Sequence, residues 1–192
     1  MQRLPRTFYR RDARVVARDL LGRIIVTAFD GIRTAGRIVE TEAYLGAEDL
    51  ASHASRGPTR RNEPMFLGGG HAYIYFIYGM HHCFNIVTGE RGSGEAVLLR
   101  AIEPTEGIEL MLERRGPAVR NRRHIADGPG KLAVALGIGP ELNGVDLTTN
   151  PRIWIEPGTP VDDSHVTTTP RIGITKGLEH DWRYVVGRES GS

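Results

Sequence analysis

Residues 23–44 read RIIVTAFDGIRTAGRIVETEAY. Two runs rich in β-branched residues flank Asp30-Gly31, a dipeptide suited to a two-residue hairpin turn. The stretch therefore predicts two antiparallel strands, 23–29 and 32–44. On the returning strand Glu40 and Glu42 share parity, so both carboxylates leave by one face of the sheet, next to Tyr44. Glu40 lies deeper in the strand and reads as structural. Glu42 is the candidate general base, given a small aromatic pocket to desolvate it. The alternative is a pair of solvent-facing residues at a strand end.

Working outward, residues 11–21 have helical spacing, with Val15, Val16 and Leu20 on one side and Gly22 as the stop. AEDLASHA (47–54) fits a short helix, and RGPTRRNEP (56–64) a basic loop. Gly68–Gly70 open a second hairpin, HAYIYFIY, a turn near Gly79-Met80, then HHCFNIVT. EAVLLRAIEP (95–104) reads as a buried strand ended by Pro104, and 105–115 as a helix with Ile108, Met111 and Leu112 on its apolar face. Pro129 and Gly137 bracket another helix in the usual asymmetry. RIWIE, RIGIT and WRYVV read as short strands in the tail. With no repeat and no linker, residues 1–192 are expected to form one α+β domain around a curved, mostly antiparallel sheet. The last few residues are expected to be disordered.

Composition narrows the function. No run approaches the ~20 apolar residues of a membrane span, and the N-terminus lacks a signal-peptide core. Cys83 is the only cysteine, so no internal disulfide forms and a reducing cytosol is expected. Net charge is only +2, yet of 25 basic residues only Lys131 and Lys176 are lysines. Residues 114–124 hold five arginines and no acid. Such clusters suit phosphate contacts, and equally a solvated surface. His81, His82 and Cys83 are consecutive and cannot converge on one ion, and no HExxH or paired cysteines occur, so neither metal nor cofactor is expected. GPGKL (128–132) lacks the first glycine and the Ser/Thr of a nucleotide loop; it leaves a helix start where Lys131 suits a single phosphate. Tyr73 and Tyr75 share one strand face, Phe76 and Tyr78 the other. Tyr78, at the hairpin tip, suits a wedge between bases, or simply reflects the preference of aromatics for strands.

Five ordered motifs, ETEAYLGAEDLASHA, TRRNEPMF, AYIYFIYGMHHCFNIV, AVLLRAIEP and GPGKLAVALGI, resemble the alkyladenine (3-methyladenine) DNA glycosylase family from about residue 5 to residue 187. The resemblance implies a monofunctional enzyme that acts as a monomer, without a cofactor, on double-stranded DNA containing damaged purines. Glu42 then resembles the base that activates water, helped by Arg100 and the main-chain carbonyl of Ile172. Tyr44, His53 and Tyr75 match the side chains that sandwich the extruded base, and Asn85 the one that crowds the amine of guanine. Tyr78 matches the ring that fills the gap in the stack. Met80 and His81 follow it on the turn, and Lys131, Arg60 and Arg61 are expected on the DNA. This chain departs from some relatives in having no aromatic after Met80, and in its longer 88–95 loop. The competing reading is a non-catalytic nucleic-acid-binding module, similar to the sheet appended to a formyltransferase, which needs the arginines but no carboxylate in a pocket.

Overall fold

The computed structural model describes residues 2–77, 81–117, 119 and 121–187. The quoted hairpin forms as its turn chemistry requires. Strand β1 (Ile24–Phe29) pairs antiparallel with β2 (Ile32–Tyr44), Phe29 opposite Ile32. Asp30 and Gly31 both take positive φ, 51° and 80°, the conformation whose twist matches the flanking strands.

Strand β2 is the spine of the molecule. Along one edge it pairs with β5 (Glu95–Glu106), from Ala35 to Tyr44. Along the other edge its first half takes β1 and its residues Glu40–Glu42 take β8 (Arg183–Val186). Strands β3 (Ala72–Ile77) and β4 (His81–Thr88) extend the sheet beyond β5. Strand β6 (Ile153–Glu156) lies beyond β1, and β7 (Val166–Thr169) beyond β8. Every described pairing is antiparallel. With helices α1 (Arg6–Tyr9), α2 (Ala13–Leu20), α3 (Ile108–Arg115) and α4 (Pro129–Leu136), this is the expected α+β domain.

Helix α2 explains which way the glutamates point. Asp12 caps it by accepting the Arg14 N–H, and Ala13, Val16, Ala17 and Leu20 form its buried stripe. Thr41, between the two glutamates, donates its hydroxyl to the Ala17 carbonyl at 2.9 Å. Since strand side chains alternate, Glu40 and Glu42 leave by the opposite face. On the helix side, Ile38, Phe84, Ile86, Leu99, Met111 and Leu136 close one core. Burying each such side chain contributes about 1.5–3 kcal/mol.

Four expectations need correction. Val15 lies off the buried stripe of α2 and is 46% exposed. Pro104 does not end β5, which runs on to Glu106. Among the described residues, β2 is the only strand neighbour of this strand past Leu98, so a residue without an N–H is tolerated there. Residues 47–54 form turns, because the Asp49 carboxylate accepts the Leu45 and Ala51 N–H groups and replaces helical bonds. RIGIT is loop, and the strand nearby is VTTT (166–169). Among the described residues no helix is long and apolar enough to cross a membrane.

Candidate active site

Between β2 and β5 the register passes from Ile38↔Ile102 to Glu40↔Ala101 and then Thr41↔Leu99. Val39 is passed over on one strand and Arg100 on the other. Such irregularities re-aim side chains, and here Arg100 lies across the face of β2. Its Nε donates to Glu40 Oε1 at 3.0 Å and its Nη1 to Glu42 Oε2 at 3.3 Å. Arg183, from β8, donates to the same Glu40 oxygen at 2.7 Å. Glu40 is thus a structural counter-ion held between two guanidinium groups.

Glu42 is fully buried, which excludes the solvent-facing alternative. Besides Arg100, it accepts the Tyr44 hydroxyl at 2.9 Å on Oε2 and the Ile172 N–H at 2.7 Å on Oε1. A buried carboxylate persists only with such partners. Burial opposes the charge on Arg100, but Glu42 and Glu40 outweigh it and hold the guanidinium above its ordinary value. Burial, reinforced by the charge on Glu42, pushes the Tyr44 phenol up, so that hydroxyl remains a donor.

Above the carboxylate lies a cavity of about 640 Å³. Tyr44, His53, Tyr73, Tyr75, Asn85, Arg100 and Ile172 line it; Glu42 is sealed beneath Tyr44, Arg100 and Ile172. The His53 and Tyr75 rings meet edge-on at 4.5 Å, and Tyr73 and Tyr75 lie tilted at 5.6 Å. His53 Nδ1 is 3.0 Å from the Tyr73 hydroxyl. Burial, then the charge of Arg61, lowers the His53 imidazole below its ordinary value and favours the neutral ring. Burial pushes the Tyr73 phenol up to about 12. Asn85 is 4% exposed and donates to the Tyr73 carbonyl at 3.1 Å.

Ile172 reaches Glu42 through its amide, a contact separate from the water-holding role that the family resemblance implies for its carbonyl. Cys83 and Tyr73, not among the expected site residues, also line the cavity. Cross-strand register would have found both: Tyr75 faces Cys83 and Tyr73 faces Asn85, so all four belong to one wall. Burial pushes the Cys83 thiol up.

Of the described residues expected on DNA, His81, Arg60, Arg61 and Lys131, none lines the cavity. Pro129, at the start of α4, lines the cavity, and His81 packs against Gly130, where a Cβ would come within 2.9 Å of it. Arg61 donates to the Phe76 carbonyl at 3.0 Å, and Arg60 is exposed. Lys131 pairs with Asp127 at 2.8 Å, one helical turn away. Tyr78 and Met80 lie outside the described residues. Among the described residues, no three His, Cys, Asp or Glu side chains gather as a metal-holding group.

Residues 7–190 match the family model described as Methylpurine-DNA glycosylase (MPG). A relative from Carboxydothermus hydrogenoformans is 48% identical over 181 residues, covering 94% of this chain and 93% of its own. One from Chlorobaculum parvum is 51% identical over 187 residues, covering 97% and 88%. Both are named "Putative 3-methyladenine DNA glycosylase". A match over nearly the whole length, on a sheet that seals a carboxylate beneath an aromatic cavity, places this chain in the methylpurine-DNA glycosylase family.

Proposed function

We propose that this DNA glycosylase, acting as a monomer, draws a damaged purine out of the duplex into the aromatic cavity and hydrolyses its N-glycosidic bond with a water activated by Glu42, leaving an abasic site. The observation that carries this reading is the fully buried Glu42 directly beneath the Tyr44–His53–Tyr75 cavity. A module that only held nucleic acid would have no use for a desolvated carboxylate there.

Water cannot reach the sugar carbon of a stacked base, and extrusion costs a few kcal/mol. Tyr78 and its neighbours Met80 and His81 would enter the minor groove and hold the vacated space. Arg60, Arg61 and Lys131 would hold phosphates, Lys131 by exchanging its carboxylate partner for one. A base alkylated on a ring nitrogen is cationic, and the faces of Tyr44 and Tyr75 attract it beyond ordinary burial. The neutral imidazole favoured at His53 adds no opposing charge.

The bond breaks with oxocarbenium character on the sugar, which a nearby carboxylate stabilises while taking a proton from water. Tyr44 holds Glu42 Oε2 and the Ile172 amide holds Oε1, so the carboxylate is oriented and its charge supported for taking that proton. Arg100 and the Ile172 carbonyl would then hold the water. The test is a base-release assay on duplexes carrying 3-methyladenine, 7-methylguanine, hypoxanthine or ethenoadenine. Release of at least one free base is expected; tight binding without any release would favour the binding module.

A further inference from the structure

Resting on that reading of Glu42, we infer that Asp49 and Arg171 are positioning residues: a buried ion pair, outside the cavity, that fixes Tyr44 and the Ile172 amide against the catalytic carboxylate.

Both side chains are fully buried, yet neither lines the cavity. Arg171 grips Asp49 with both ends of its fork, Nη1 on Oδ2 and Nη2 on Oδ1, the latter at 2.8 Å. Nη1 also donates to the Ala43 carbonyl at 2.9 Å, in the residue between Glu42 and Tyr44. The guanidinium carbon lies 4.6 Å from the centre of the Tyr44 ring and 5.0 Å from that of Trp182. The next peptide along the chain sends the Ile172 N–H to Glu42. One side chain therefore fixes the ring on Glu42 Oε2, the backbone beside it, and the donor on Oε1.

Asp49 does the same for the turn that follows Tyr44. By accepting the Leu45 and Ala51 N–H groups it holds the turn that carries Leu50, Ala51 and His53 into the cavity. Neither wall segment is helix or strand, so no ladder of backbone bonds sets their spacing. Gly177 lets the second segment close over the pair: its φ is +66°, and a Cβ there would come within 3.0 Å of Arg171 Nη2.

The energetics point the same way. A buried pair costs desolvation that apolar side chains of similar volume avoid, and replacing both partners together is often neutral or stabilising. Stability alone gives this pair little reason to be charged. A planar fork that bonds on its edge and stacks on its face fixes orientation, which neither lysine nor methionine reproduces.

The experiment compares Arg171→Lys, the double variant Asp49→Leu/Arg171→Met, the parent and Glu42→Gln on an alkylated-purine duplex. Single-turnover release and affinity for a non-hydrolysable abasic-analogue duplex are measured on the folded fraction. Both pair variants are expected to release base about 10²-fold more slowly than the parent, the scale of a 1 Å misplacement, while binding the analogue within about threefold. The double variant carries no unpaired buried charge, so it reads the proposal even where Arg171→Lys does not fold. If the double variant folds and releases base at the parental rate, or if rate and affinity fall together, the pair is only structural and the inference is overturned. An inactive parent, or an active Glu42→Gln, would instead indict the reading on which it rests.

Discussion

Asn85 is held in place by its bond to the Tyr73 carbonyl, and on the proposed reading a purine with an exocyclic amine at that edge would meet fixed bulk. Asn85→Ser should raise release of 7-methylguanine relative to 3-methyladenine by roughly tenfold, a common scale for one group gained or lost in a tight pocket. An unchanged ratio would remove Asn85 from the filter. His53 gives a pH prediction. Its folded-state value is depressed below 6.5, so its contribution is complete above that value and is lost as pH falls through the depressed one. A protonated ring opposes a second positive charge, so in Glu42→Gln, acidification should weaken binding of a cationic base before that of neutral hypoxanthine. Parallel titrations of the two would refute it. Lys176 stands exposed on the cavity rim, the one lysine near the chemistry. Strand cleavage by a glycosylase usually needs an amine that forms a Schiff base with the opened sugar. Water on Glu42 needs none, so borohydride should trap no protein–DNA adduct. An adduct that disappears in Lys176→Ala would show the enzyme to be bifunctional.

The β3–β4 hairpin carries the pocket wall, with Tyr73 and Tyr75 opposite Asn85 and Cys83. Phe76 is already 48% exposed near the end of β3. Tyr78→Ala should therefore leave the melting temperature nearly unchanged while weakening capture of the flipped nucleotide by about 1–3 kcal/mol, the worth of one base–aromatic stack. Early melting with normal affinity would make Tyr78 a core residue instead. This hairpin and the β1–β2 hairpin were legible because their signals are local: alternating aromatics in one, Asp-Gly in the other. The segments 47–54 and 171–175 were misread because their determinants are distant. Asp49 is committed to Arg171, 122 positions along the chain, and the Ile172 amide to a Glu42 oxygen 130 positions away. Apolar spacing within eight residues carries no trace of such partners.

At the scale of the molecule, one long strand does two jobs. Toward α2 it closes the core through Ile38 and Thr41; toward the cavity it offers Glu42 beneath Tyr44. Parity made the shared direction of Glu40 and Glu42 readable in the sequence, but not the place of Ile38, which has the same parity and reaches the helix side because Val39 is passed over in the register. Nor did parity supply depth: Glu42 is buried because Arg100, Tyr44 and the 171–177 segment converge on it from three parts of the chain. On the proposed reading Glu42, and not Glu40, does the chemistry. The direct measurement is single-turnover base release and duplex affinity for Glu42→Gln and Glu40→Gln side by side. Glu42→Gln should lose release by about 10²–10⁴-fold, the range for one positioned acid or base, while holding the damaged duplex within a few-fold of the parent. Glu40→Gln should keep much of the rate. Release that survives Glu42→Gln and vanishes in Glu40→Gln would make Glu40 the catalytic carboxylate instead.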